Sequence, residues 1–403
     1  MEQVVRHISR GPRRADFARW GGVARLLVVL VVAATPALAQ SSAQAAEKKQ
    51  PSTYDKIWGR FTNWYDNKEN PVVQRVVFTG RYHHDYAVVE ADQGDITEWN
   101  VRRVRLGPRI TFFRNFLLHA EVEVNPQEGL QKGKPDPFYM RFTDAYVQWT
   151  KNPALVITVG KHSVPFTQEG GTSSRELLTI DRSNLANNIW FGQEYMPGFS
   201  VGGRRGLLTY RGSVYSSGRM NREFGEFNGG LFTMAVVGYD LSKKLGVREA
   251  TVIGNYLYQQ PDVNNTFTRR FEHITSVNFR FEEGKAGLRG DLSTAVGYLG
   301  QRDVWSFMLL PYFNVTDKLQ FVGRYTFVDS DGNNGVSLAT YESRVVRGAG
   351  DEYSEGYLGV NYFFYGHRLK LQSGVAFADM QDRANDGGAY SGTSWVTGLR
   401  IGW

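Results

Sequence analysis

The chain of 403 residues has no cysteine, so a disulfide framework is excluded. It also lacks any long apolar run. The longest such stretch, 26–34, falls well short of the roughly 20 apolar residues that a spanning helix needs, so an α-helical membrane protein is not expected. Nor is there a strong excess of one charge. Residues 1–39 hold six of the 47 basic residues and two of the 40 acidic ones, which leaves 41 against 38 in the remainder. Global charge therefore gives no reason to expect nucleic acid as a partner.

Those first 39 residues read as a secretion signal. Arg6, Arg10, Arg13, Arg14, Arg19 and Arg25 precede or enter the apolar stretch, and the small-residue triplet Ala37-Leu38-Ala39 supplies a cleavage site. Cleavage is expected before Gln40, with Ala43-Gln44-Ala45 as the second choice. Residues that favour strands and turns are abundant: the whole chain has 44 glycines, 21 tyrosines, 25 phenylalanines and 9 tryptophans. In the leader, 40–71, the residues Tyr54, Ile57, Trp58, Phe61, Trp64 and Tyr65 recur at spacings of three and four, the period of an amphipathic helix, and Pro71 closes it. A packed or periplasmic helix is expected there, with a plug or gate inside a pore as the alternative.

From residue 72 to the end the apolar period falls to two. Val76, Phe78, Gly80 and Tyr82 oppose Arg75, Val77, Thr79 and Arg81. Val104, Leu106, Ile110 and Phe112 oppose Arg103, Arg105 and Arg109 on a second strand, and Phe116, Leu118, Ala120, Val122 and Val124 oppose His119, Glu121 and Glu123 on a third. The last strand sets Trp395, Leu399, Ile401 and Trp403 against Ser394, Gly398, Arg400 and Gly402, and ends on a ring of the kind that sits at headgroup level. Similar strands are read at 138–149, 155–161, 199–204, 207–215, 231–239, 251–259, 274–281, 288–298, 304–313, 319–328, 357–364 and 369–377. Tight links such as Asp317-Lys318 alternate with long polar ones at 218–229, 329–354 and 379–392. The fold class is thus all-β: a transmembrane antiparallel up-and-down barrel of about 16 strands over 72–403, its dry face to lipid and its wet face to a lumen.

Two runs, Phe142-Thr143-Asp144-Ala145-Tyr146-Val147-Gln148-Trp149 and Val159-Gly160-Lys161-His162-Ser163-Val164-Pro165-Phe166, resemble the phosphate-selective porin O and P family. Arg102 to Gly107, Thr172 to Arg175 with Asp181 to Ser183, and Tyr357 to Tyr362 through Gly366 to Lys370 extend the resemblance. It implies a sixteen-stranded barrel in the outer membrane, usually a homotrimer in outer-membrane lipid, whose third extracellular loop folds into the lumen from near Pro165 to near Pro197. It further implies passive passage of small anions, phosphate or polyphosphate first, past basic side chains, with no cofactor and no metal. No lysine cluster of the family aligns here, because the basic residues are mostly scattered arginines.

A charge at the middle of the lipid face costs about 2 to 4 kcal/mol, so mid-strand cations should turn to the lumen. Arg103, Arg105 and Arg109 then form a rail with steps of about 7 Å, and Arg75, Arg81, Arg289, Arg324, Lys370 and Arg400 extend the field around the wall. Arg175 and Arg182 lie in the loop expected to narrow the pore and should matter most. A planar guanidinium fork matches two oxygens of an oxyanion, and rings of such groups are the device of anion pores. The competing role for each arginine is structural pairing, with Glu121 and Glu123 as the obvious partners.

Other motifs carry no chemistry. Gly198-Phe199-Ser200-Val201-Gly202 has the spacing of a hydrolase elbow, but Pro197 precedes it and another strand comes after it. His83 and His84 fall on opposite faces of a strand, and Asp329-Ser330-Asp331-Gly332 lacks the spacing of a calcium loop. The alternatives to an anion pore are a less selective general porin, a plugged barrel acting as an anchor, and an outer-membrane enzyme, for which no convergent acid-base set stands out. Replacing Arg103, Arg105 and Arg109 together with glutamate is expected to abolish or reverse anion preference, measured as reversal potential in a salt gradient, with the barrel still folded.

Overall fold

The computed structural model describes residues 52–125, 139–189, 195–218, 223–224, 226–265 and 269–403. The expected signal and its cleavage sites lie outside the described residues.

The chain opens with helix α1 (Thr53–Thr62) and a short strand β1 (Asn63–Asp66). The barrel then runs β2 (Val73–Ala91), β3 (Gly94–Phe112), β4 (Phe116–Val124), β5 (Tyr139–Asn152) and β6 (Leu155–Ser163). After α2 (Asn184–Ile189) come β7 (Tyr195–Arg205), β8 (Leu208–Gly218) and β9 (Glu226–Asp240). The single turn α3 (Ser242–Leu245) precedes β10 (Glu249–Gln259), β11 (Phe271–Glu283), β12 (Ala286–Gly297), β13 (Val304–Asn314) and β14 (Leu319–Ser330). The next connection contains β15 (Val336–Ser337), α4 (Glu342–Val345) and β16 (Ala349–Gly350), and β17 (Glu352–Tyr365), β18 (Leu369–Gln381) and β19 (Tyr390–Gly402) complete the wall. Every neighbouring pair is antiparallel, and β19 pairs back onto β2. This is the up-and-down barrel of sixteen strands that the period of two required, closed so that no strand is left as a sheet edge.

The seam is closed by residues from both ends of the chain. The N–H of Gly80 donates to the carbonyl of Trp403 (3.1 Å) and that of Trp403 to Gly80 (3.0 Å). Below the seam β1 adds to β2, Trp64 stacks on Phe78 at 4.9 Å, and Phe61 packs edge-on against Phe78 and Trp403. The leader helix therefore sits at the end of the barrel that carries Phe78 and Trp403.

Two loops at the other end fold inward. The connection 164–194, here L3, is buried along almost its whole described length, and α2 packs on β12, β13 and β14. The resemblance leads to that expectation. The loop 331–351, here L7, was expected to be a long polar link, yet it also enters the lumen: Val336, Leu338, Tyr341 and Val346 are buried in one apolar cluster with Phe166, Ile180 and Ile189 of L3. The walls at this level answer in kind. Ala87, Val89, Phe232, Leu257, Val328, Tyr353, Met380 and Tyr390 point inward and are buried in the same cluster, while Glu352, Ser354, Asp379 and Gln381 take the outer face in register across β17 and β18. Beside β17 and β18 the upper wall is thus inverted, apolar inside and polar outside.

Strands β3 and β4 approach so closely at Gly107 that an added Cβ would lie 1.8 Å from the carbonyl oxygen of Ala120. Because the obstacle is backbone, it cannot swing aside. Gly107→Ala is expected to lower the stability of the folded barrel by about 1–3 kcal/mol, the range for overpacking, seen as an earlier midpoint in urea unfolding followed by tryptophan fluorescence.

Candidate functional site

Alternation places Arg81, Arg105, Arg109, Arg289, Arg324, Lys370 and Arg400 on inward positions of their strands, and bulges add to the set. Opposite His83 and His84, β3 carries one residue too many, Arg102, and the register slips. Arg102 and Arg103 therefore both turn inward, which strict alternation hides. Beside Glu121 the same thing happens on β5: Thr143 donates to Glu121 Oε1 (3.2 Å) while Asp144 approaches His119 at 3.8 Å.

Most inward cations hold L3. Arg324 Nε donates to Glu355 Oε1 (2.9 Å), its Nη1 lies 3.6 Å from Glu169 of L3, and the same nitrogen donates to the carbonyl of Asp181 at 2.8 Å. Arg81 donates to Ser174 (2.8 Å) and pairs with Glu121 (3.1 Å). Lys370 donates to the carbonyl of Leu177 at 2.6 Å. Arg400 pairs with Asp85 and reaches the carbonyl of Ile180 (3.3 Å). Asp85 in turn accepts from the hydroxyl of Tyr341 in L7 at 2.7 Å. Asp291 on β12 supplies the opposite polarity, accepting the backbone N–H of Gln168 at 2.5 Å. Arg289 lies over the ring of Tyr312.

Arg105 corrects the idea of a rail. Its side chain is wholly buried, with Nε donating to Glu123 (3.1 Å) and Nη1 to the hydroxyl of Tyr195 (2.7 Å). A glutamate at 105 would face Glu123 out of water, so the triple replacement cannot leave folding intact. The expected step from 103 to 105 to 109 is a cation in one cavity, a sealed ion pair, and a cation in another.

Those cavities follow one another along the β2 to β6 side of the lumen. The first, about 490 Å³, is lined by Arg102, Arg103, Arg141, Arg182, Arg269 and Arg344 among others, with Asp181 and Glu123 as its acids. Burial alone would raise the carboxyl of Asp181, but Arg102, Arg103 and Arg400 hold it below its usual range. The second, about 240 Å³, lies between Arg81, Arg109, Arg182, His119, Asp144 and the segment 170–174 of L3. The third, about 310 Å³, opens toward the leader and is lined by Arg75, Arg109, Arg175 and Arg368 with Trp58 of α1. Arg182 borders the first and second, and Arg109 the second and third. Arg182 is fixed by donating to the carbonyls of Glu169 (2.8 Å) and Thr172 (3.0 Å). Arg109 makes no ion pair or hydrogen bond among the described residues. Burial, then neighbouring Arg81, pulls Arg175 down to about 10, still a cation at neutral pH, with Glu121 3.7 Å away.

The eleven sequence candidates thus divide. Arg75, Arg81, Arg103, Arg109, Arg175 and Arg182 line the three cavities; Arg105, Arg324, Lys370 and Arg400 are sealed against carboxylates or carbonyls; Arg289 stands apart on β12. Arg102, Arg141, Arg269, Arg344 and Arg368 were missed. The first is revealed only by a bulge, and Arg344 only by the unexpected entry of L7 into the lumen. Ser200 lies in mid-strand, buried and accepting from Arg211, and no cluster of metal-ligating groups occurs among the described residues.

The sequence profile of the phosphate-selective porin O and P family matches residues 76–288. No curated protein matches the chain. Among solved structures, the anion-selective porin from Comamonas acidovorans superposes with a TM-score of 0.57 at 15% identity, covering 81% of this chain and 99% of that one. In-vitro folded OmpT of Vibrio cholerae, in a trimer form, gives 0.53 at 14%, covering 81% and 99%. The outer membrane channel DcaP of Acinetobacter baumannii gives 0.53 at 13%, covering 84% and 100%. At such identities the likeness speaks for the fold alone.

Arg324→Met removes the cation between two buried carboxylates and should destabilise the L3 anchorage by about 3–5 kcal/mol, the cost of stranding one side of a buried ion pair. The expected readout is noisy single-channel current and protease cleavage within L3, with the barrel itself still resistant.

Proposed function

This chain belongs to the phosphate-selective porin O and P family, and from that premise we propose that it passes small anions, phosphate or polyphosphate first, along an arginine-lined route beside β2 to β6. Membership makes it an outer-membrane porin, a channel and not an enzyme. The observation that carries the finer reading is the sharing of Arg182 and Arg109 between successive cavities. An anion leaving one chamber stays within reach of a guanidinium that also faces the next.

Three properties favour this route. Arg109 makes no ion pair or hydrogen bond among the described residues, and Arg182 borders two cavities at once, so both present positive charge along the route. The surrounding wall and the dry collar above limit solvent, which strengthens their field. The acids Glu121, Glu123 and Asp181 pair with the lining residues Arg81, Arg141 and Arg102 and keep each site from binding too tightly to release, as conduction requires. A homotrimer in outer-membrane lipid, after removal of 1–39, completes the proposal; the family resemblance and the trimer form of OmpT support it.

In planar bilayers Arg109→Glu is expected to lower the anion-to-cation permeability ratio about tenfold, the effect of roughly 1.4 kcal/mol at one site, read from the reversal potential in a salt gradient. Current block by phosphate should exceed that by chloride or a dicarboxylate. An unchanged ratio in Arg109→Glu would remove the junction from the mechanism.

A further inference from the structure

The third cavity differs from the other two in the origin of its acid. Glu123 and Asp181 of the first and Asp144 of the second belong to the wall and to L3, whereas the one carboxylate lining the third among the described residues is Asp55 of α1. It shares about 310 Å³ with Arg75, Arg109, Arg175 and Arg368. The helical period puts it there. Asp55, Trp58, Gly59 and Thr62 stand at i, i+3, i+4 and i+7 on one face of α1 and all line the cavity, while Tyr54, Ile57 and Phe61 are exposed. Contacts near both ends hold the helix in place. Tyr54 packs on Tyr365 at the end of β17, ring centroids 5.0 Å apart, and beyond Thr62 the strand β1 pairs with β2, where Arg75 donates to Asn63 Oδ1 at 3.1 Å.

Donors around this chamber outnumber acceptors. Among the residues that line it, Trp58 and Trp403 each have a buried indole N–H, and Arg175 a buried Nε–H, with no acceptor among the described residues. Arg368 lies over the ring of Tyr365. Buried donors left without an acceptor are costly, so such a chamber favours an oxyanion. Asp55 is an anion that cannot leave. We propose that α1 is a built-in brake on the route: Asp55 competes with the solute for the arginines of the third cavity and so sets how tightly an anion is held there. This rests on the anion route proposed above and adds the residue that tunes the chamber nearest the leader. A carboxylate tethered to a fixed helix meets the arginines at a high effective concentration, which a dissolved anion must match. With one acid against four guanidinium groups the chamber stays positive, so anions still enter. Each is held less firmly than the arginines alone would hold it, and is released sooner.

Asp55→Asn keeps the side chain's size and removes its charge. Asp66→Asn, at an exposed acid of β1 that does not line the cavity, is the control. Both are compared with the parent chain in planar bilayers, with inorganic phosphate added to a chloride electrolyte. The phosphate concentration that halves the chloride current should fall about tenfold in Asp55→Asn, the effect of one charge at one site, and each blocked interval should lengthen. It should keep the parent's value in Asp66→Asn. An unchanged value in Asp55→Asn would overturn the brake while the anion route stands. An equal fall in both variants would also overturn it, because the effect would then belong to charge at the mouth at large. A parent channel that prefers cations would sink the anion route itself.

Discussion

Guanidinium groups in a confined lumen must find acceptors, and here wall carboxylates and the carbonyls of a loop supply them together. Arg324, Arg400 and Lys370 reach the carbonyls of Asp181, Ile180 and Leu177 in turn, so three cations on the β14 to β19 wall grip three residues within the span 177–181 of L3. A carbonyl satisfies a buried cation without the desolvation of a second charge, and the loop gains partners for backbone groups that would otherwise be orphaned in a lumen. The same contact answers both needs. With that side of L3 pinned, the three arginine-lined cavities lie on the opposite side, against β2 to β6, and there the second set of arginines is found.

The two sets differ in what surrounds them rather than in residue type. Arg105 and Arg324 are sealed between carboxylates and rings. Arg109 and Arg182 face cavities. A buried cation with a full complement of acceptors holds structure, whereas one at the edge of a cavity keeps field to offer a solute. In the proposed route, position along the wall decides which arginines meet a solute, and a tally of arginines cannot reveal it.

The lower barrel was legible in the sequence because its wall separates water from lipid, and alternation records that separation residue by residue. Thus β2, β3, β4 and β19 carry the faces expected of them, and Arg81, Arg109 and Arg400 turn inward. The upper barrel was not. There Tyr353, Ala378 and Met380 point into a loop-filled interior while Ser354 and Asp379 face out, so the period persists but its sense flips, and β17 and β18 run beyond the expected ends at 357 and 377. Pairing partners of the lumen arginines were half visible: Glu121 and Glu123 stand on the adjacent strand, but Glu169, Glu355 and the carbonyls of L3 come from positions only the closed barrel brings near. Bulges at Arg102 and Thr143 leave no mark that periodicity can detect.

Asn188 of α2 accepts the N–H of Ser337 in L7 at 2.9 Å and donates to its carbonyl at 3.0 Å, and Asn184 donates to that same carbonyl. This paired bridge welds the two inward segments into one body suspended from several strands. In the proposed passage, a solute pressing on either segment would therefore push against both, and the resistance it met would come from every strand that anchors them.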